Sequence, residues 1–327
     1  MIRPNTFKDQ TDLPPLGFDP VNNPADRVKL DHYWLPAMPD PALQPTLYEH
    51  WREMLALPLT YVVPQSAPAP AGANTALVPG QVVAGNLQSS FNWSGTFLEA
   101  TGGRSFARVT GAWPVPTVSP GTRAPSDLAD VPFRCSIWIG IDGKKPFTKS
   151  MPQVGSVQWL TADGTQEQGL WWQWWRRDYS APDGLPYDMK GLPISRGDRV
   201  LCNISAVAAN CVRVNVANRT TNKLATVEIT GGEPIMGDTA EWIVERPADF
   251  ALSSGAGDPG PLYPLPDYSS LTIDKCAADY FIRSAGSWVP QFVQMIQAFP
   301  DPNRTAVISK PSTIADDGTV KLFYQAP

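Results

Sequence analysis

A carboxylate that could move a proton stands in the run Thr239-Ala240-Glu241-Trp242-Ile243-Val244-Glu245. Written as a strand, the run puts Glu241, Ile243 and Glu245 on one face and Trp242 with Val244 on the other, because successive side chains alternate sides. Trp242 and Val244 would anchor in a core and leave Glu241 on a more open face, which is how a sheet presents a catalytic acid on a rigid support. An edge strand with alternating charges explains the run as well, and taken alone the run favours that plainer explanation. Two other stretches are dense in aromatics. Ser136 to Gly143 sets Trp138 and Asp142 on one face against Ile137, Ile139 and Ile141 on the other, and Leu170 to Arg176 groups Trp171, Gln173 and Trp175 while leaving Trp172 and Trp174 for a core. Clustered Trp on an open face is costly unless it contacts something, so a groove is one explanation. An aromatic sandwich core is the other, and by themselves these stretches favour it.

What the chain lacks narrows the chemistry further. Its only histidines are His32 and His50, so a Ser-His-Asp or Cys-His nucleophile system, or a His-built zinc site, would have to borrow from the N-terminal stretch. The four cysteines (Cys135, Cys202, Cys211 and Cys276) show no CxxC spacing. Hydrolytic chemistry in the main body must therefore rest on carboxylates, amides, hydroxyls or an oxygen-bound metal. A formal charge of -5 supplies no basic field, so nucleic acid and anionic membranes are not expected partners. No apolar run approaches a membrane span, and Met1 to Lys8 lacks the apolar stretch of a secretory signal. Oligomeric state and compartment stay open at this stage.

The elements that must position these residues are short strands. Of 327 residues only 17% are charged, while 35 are Pro and 25 Gly, a mix that favours many strands joined by turns. Alternating or apolar runs predict strands over 90–99, 105–113, 135–141, 155–161, 169–176, 199–207, 211–217, 224–230, 240–245, 268–275, 305–309 and 319–325, and Asn218 to Lys223 reads as a hairpin loop. A dozen such runs predict two packed antiparallel sheets. Residues 1–86 differ: they form a Pro-rich, mildly acidic extension with one helix from about Leu43 to Leu55, its face made by Leu47, Trp51, Met54 and Leu55. Pro64 to Gly72 reads as an extended linker, and a short helix is predicted around Pro290–Phe299. The remainder, 87–327, reads as the sandwich domain. Cys202 and Cys211 would lie on adjoining strands, where free thiols are slightly favoured over a disulfide.

One ordered series adds to this. Asn92-Trp93-Ser94-Gly95, Gly111 to Pro116, Trp138 to Gly143, Pro152-Gln153-Val154-Gly155, Trp171 to Trp175, and Ala240 to Glu245 together resemble the glutamic peptidases of family G1, the eqolisins, with Leu265 to Thr272 and Asp317 to Val320 in matching places. The resemblance covers about residues 88 to 326 and implies a concanavalin A-like β-sandwich of two antiparallel sheets. It maps the family's catalytic pair onto Gln153 and Glu241, and implies that Trp138, Asp142, Trp171, Gln173 and Trp175 bind polypeptide substrate. One glutamate can act as base and then acid, and a side-chain amide can bond the oxyanion, so neither metal nor cofactor is needed. The sequence departs from fungal members in having Gln173 and Gly169 where they commonly carry acids, and Trp175 where they carry tyrosine. Residues 1–86 would be an inhibitory prosegment or a packed structural extension. The competing functions are a carbohydrate-binding module of the same sandwich fold, or a catalytically idle relative.

Overall fold

The computed structural model describes residues 3–5, 13–69, 79–82, 87–123, 127, 131–177, 184–249, 260–280, 290–298, 305–312 and 317–326. Its helices are α1 (Pro24–Arg27) and α2 (Pro45–Leu55). The strands of the first third are β1 (Arg3–Asn5), β2 (Thr60–Val62), β3 (Gln65–Pro68), β4 (Pro79–Val82), β5 (Leu87–Ser90), β6 (Trp93–Glu99) and β7 (Phe106–Pro114). The middle contributes β8 (Arg134–Ile141), β9 (Ser150–Leu160), β10 (Gln166–Arg176), β11 (Tyr187–Lys190), β12 (Arg199–Ala208), β13 (Cys211–Asn218), β14 (Lys223–Thr230) and β15 (Thr239–Glu245). The last are β16 (Ser270–Tyr280), β17 (Gln291–Ala298), β18 (Thr305–Pro311) and β19 (Val320–Tyr324).

Strand pairing arranges these into two ladders. A rear sheet runs β16–β7–β12–β13–β14, with β1 and β2 along the far edge of β14. A front sheet runs β3–β11–β10–β9–β8–β15–β6–β17; β18 and β19 lead from β17 back to β16, and β5 lies along β17. Val109, Val200, Ile204 and Val214 of the rear sheet share one buried cluster with Ile137, Ile139, Val154, Trp172 and Trp242 of the front sheet. The fold is thus all-β, with two corrections to the expectation. The sheets are not purely antiparallel, since β2–β14 and β5–β17 are parallel. Nor are they separate: Ser270–Ile273 of β16 pairs with β19 in front, and Asp274–Tyr280 pairs with β7 behind.

Every predicted strand is present within a few residues, because period-two alternation is real where one face meets the core. The predicted helix near Pro290 is instead β17. Its apolar spacing suits either element, and pairing with β5, β6 and β18 decides for the strand. The stretch expected as a linker from Pro64 carries β3, which extends the front sheet along β11, and the Trp172 indole donates to Ser66 at 3.0 Å. Cys211 lies opposite Ala208, not Cys202, and all four thiols are free.

The helix of the N-terminal stretch matches its prediction. Leu47, His50, Trp51, Met54 and Leu55 of α2 are buried, the three-and-four spacing placing them on one stripe. That stripe covers the outer face of the rear sheet, where Trp51, Met54 and Leu55 join Ala112, Leu201, Ala217 and Leu224. Charged groups tie the helix to the point where β16 changes sheets. Arg199 bonds Asp274 at 2.6 Å and Glu53 at 3.0 Å, and Lys275, whose φ is +53°, also pairs with Glu53. Among the described residues no helix is long and apolar enough to cross a membrane.

Candidate active site

The outward face of the front sheet holds the sequence-flagged residues, and register brings them together. On β15, Ala240, Trp242 and Val244 point into the core while Glu241, Ile243 and Glu245 point outward. Glu241 lies opposite Gly140 on β8, Gly140 opposite Gln153 on β9, and Gln153 opposite Gln173 on β10. On its other side Glu241 faces Phe97 of β6. A row Phe97–Glu241–Gly140–Gln153–Gln173 therefore crosses five strands. Two inter-strand steps put the Cα atoms of Glu241 and Gln153 roughly 10 Å apart. Gly140 leaves the space between them free of a side chain. The floor of that space is Trp138, for a Cβ built at Gly140 would lie 2.8 Å from its ring.

Burial sets the electrostatics. Glu241 and Gln153 are both fully buried, and neither Glu241 oxygen nor Gln153 Oε1 has a hydrogen-bond partner among the described residues. Burial pushes the Glu241 carboxyl well above the usual range; the nearby Thr239 hydroxyl, outside hydrogen-bond geometry, opposes this, the charge of Asp142 adds to it, and Lys144 opposes it. Lys144 was missed by sequence reasoning. Its ammonium lies 5.0 Å from the Phe97 ring centre, and its pKa is drawn down by burial against the upward pull of Glu99 and, more weakly, Glu241.

The remaining expected residues divide into those that shape the face and those that brace it. Trp138 and Trp171 flank Gly155 in the next row and share a cluster with Trp93, Met151 and Ile243, with Trp175 packed against it. The Trp138 indole donates to Glu245 at 2.9 Å, and Asn92 donates to the other Glu245 oxygen at 3.2 Å, so Glu245 braces the floor ring. Arg177 sits over Trp175 at 5.1 Å. Asp142 is near the pair but its carboxylate is engaged, accepting from the backbone N–H groups of Met236, Gly237 and Asp238 at 2.7, 3.1 and 2.8 Å. Its φ of +72° turns the chain sharply there. Burial raises its pKa to about 6 against those three bonds. Asp142 thus pins the segment entering β15. Gln173 donates to the Gly184 carbonyl at 2.6 Å and accepts from Gln153 at 3.3 Å.

No site role was read for Glu245, Asn92, Gly140 or Gly184, although the first three lie within the ordered motif runs. Glu245 shares a strand face with Glu241, which was a visible signal; Gly140 acts through register across strands, and Asn92 and Gly184 act through hydrogen bonds made from outside the strands.

Comparison with known proteins decides the lineage. The model of the Peptidase A4 family matches residues 91–314, about two thirds of the sequence. The chain belongs to the Peptidase A4 family. Among curated proteins, aspergillopepsin-2 of Aspergillus niger is 30% identical over 219 residues, spanning 62% of this chain and 68% of that one. Scytalido-glutamic peptidase, in a crystal structure with a transition-state-analogue inhibitor, superposes with a TM-score of 0.53 at 22% identity, covering 72% of this chain and 98% of that one. A second structure of the same peptidase, with a peptide-based analogue, gives 0.51 at 21% identity and the same coverage. These superpositions speak to the fold. As a member of the A4 family the chain is a glutamic peptidase, a hydrolase acting on peptide bonds, and its substrates are polypeptides.

Proposed function

We propose that this peptidase cleaves internal peptide bonds with Glu241 and Gln153 as its catalytic dyad. The observation that carries the proposal is the register row in which Gly140 alone separates a buried carboxyl and a buried amide whose oxygens lack partners. Glu241 as carboxylate takes a proton from a water lying over Gly140, and the water attacks the scissile carbonyl. Gln153 donates an N–H to the oxyanion that forms. Glu241 then returns the proton to the leaving amine. General acid–base catalysis of this kind contributes about 10²–10⁴ in rate, and one oxyanion donor about 10²–10³.

Both side chains are covered, so substrate reaches them by local opening of this face. The described residues of 1–86 lie on the rear sheet, along the β11 edge and, as β4, beside β5, which supports a structural extension. A sugar-binding platform would need open ring faces, whereas Trp138 and Trp171 are buried and Arg177 lies over Trp175. Because water activation needs the carboxylate, kcat/KM should rise with pH through the raised Glu241 value. Strongly acidic conditions, in which Glu241 holds its proton, should therefore slow cleavage. The test is cleavage of a denatured protein by folded Glu241→Gln and Gln153→Ala variants, each expected to lose at least about 10²-fold. A Glu241→Gln enzyme as active as the parent would end this reading.

A further inference from the structure

Gln173 lies between the dyad amide and an acceptor that cannot reverse its role. Its Nε2 donates to the Gly184 carbonyl at 2.6 Å, and its Oε1 accepts from Gln153 Nε2 at 3.3 Å. A peptide carbonyl can only accept a hydrogen bond. Gly184 therefore dictates that the amino end of Gln173 faces it, which turns the Gln173 oxygen towards Gln153. Gln153 must then present an N–H to Gln173, and its own Oε1 points elsewhere, with no partner among the described residues. Reversing Gln153 would set two amide oxygens against each other, and reversing both would set an amide oxygen against the Gly184 carbonyl. In a fully buried site each such contact leaves polar groups unsatisfied.

We propose that Gln173 is a positioning residue: with Gly184 it sets the polarity of the Gln153 amide. That leaves Gln153 Oε1 to accept from the attacking water and its second N–H to meet the oxyanion. The inference rests on the dyad reading above and adds to it. An amide does not titrate in the working range, so the alignment holds at every pH at which Glu241 is competent. A carboxyl in its place would hold the alignment only while protonated: the acid's O–H can donate to Gly184 and its carbonyl oxygen can accept from Gln153. Ionised, it would turn an oxygen on the Gly184 carbonyl.

The experiment measures kcat and KM separately across pH for the parent, Glu241→Gln, Gln173→Leu and Gln173→Glu, with circular dichroism to verify folding. Gln173→Leu is expected to lose at least about 10-fold in kcat at all pH values with KM nearly unchanged, the scale set by misaligning a catalytic group. Gln173→Glu is expected to keep most of the parent kcat in acid and to lose it on a limb that falls as pH rises, a limb absent from the parent. If Gln173→Leu does not fold, Gln173→Glu decides alone. A Gln173→Glu profile that matches the parent, or that only shifts the rising Glu241 limb, overturns the proposal, as does a folded Gln173→Leu with parental kcat. If Glu241→Gln is inactive while both Gln173 variants behave normally, this inference alone fails. If Glu241→Gln is fully active, the dyad reading fails and this inference with it.

Discussion

Glu241 shows how the burial of one carboxyl reaches both chemistry and stability. Its folded pKa lies well above the ordinary 4.5, so from there upward the unfolded chain releases a proton that the fold retains. More protons bound to the native state means stability that falls as pH rises through that window. Glu241→Gln removes the penalty. It should therefore melt higher than the parent at pH 7, with the difference vanishing as pH drops below about 4.5, the ordinary value. Thermal denaturation across pH checks this, and a stabilised but inactive variant would separate a functional carboxyl from a structural one. Gly140 gives a second test. A methyl there would press on the Trp138 ring and intrude between Glu241 and Gln153. Gly140→Ala should lower kcat/KM by about 10²-fold, the scale of a small misplacement at a reacting centre, while far-ultraviolet dichroism stays unchanged. At this scale the sequence was partly legible. Alternation alone put Glu241 outward and Trp242 inward, but Gln153 was found only through the ordered motif series. It belongs to the part of β9 that precedes the predicted start at 155, where Pro152 argues against a strand. The β8 ladder ends at Gln153, so Pro152 lacks a partner strand on that side.

Elements divide by how much of their placement is local. The twelve predicted strands and α2 carry their own period, and the Asn218–Lys223 turn carries its own chemistry: the Asn218 side chain accepts from the backbone N–H groups of Thr220 and Thr221, and Asn222 adopts a φ of +53°. By contrast β3, β11 and β17 are strands because a neighbouring edge is open to them, and no window of sequence records that. The helix α2 also separates stability from catalysis. Met54 is fully buried against the rear sheet, on the side away from Glu241. Met54→Ala should cost about 3 kcal/mol of unfolding free energy, a typical large-to-small core loss. Cleavage at 25 °C should stay within about two-fold of the parent, the surviving fold leaving the opposite face intact. Denaturant titration alongside the activity assay tests both halves. A parallel loss of activity would mean that the two faces are coupled.

Across the whole molecule, acid weakens the rear attachment. Burial, with the nearby Lys275 charge, holds His50 down at about 3, while the Gly111 carbonyl and Glu53 pull upward and Arg199 downward. A base with a depressed folded pKa stays neutral in the fold while the unfolded chain charges, so stability falls as pH drops from about 6.5 towards 3. The shift corresponds to a loss on the order of 4–5 kcal/mol. Glu53 acts in the same direction. Burial disfavours its charge, but Arg199 and Lys275 outweigh that and hold the carboxyl at about 2, so its contribution is present above 4.5 and lost as pH falls towards 2. A His50→Gln variant should show a flatter decline of melting temperature between pH 6.5 and pH 3 than the parent does, the window set by the ordinary and buried values. Scanning calorimetry over that range is the check, and an unchanged slope would remove His50 from the account. The overall architecture was legible from composition and alternation. The joining of the sheets was not, because it lies in a single strand whose partners are far apart in sequence.

That shared strand matters while the chain is being made. When synthesis has reached residue 245, β7 still lacks β16 and β6 still lacks β17. Both sheets then present bare backbone edges in the partly made polypeptide, the kind of surface that recruits other chains. Ribosome-bound nascent chains ending before Ser270 are therefore expected to aggregate on release and to need a holding chaperone, whereas chains extended through Tyr324 close both edges and leave the ribosome soluble.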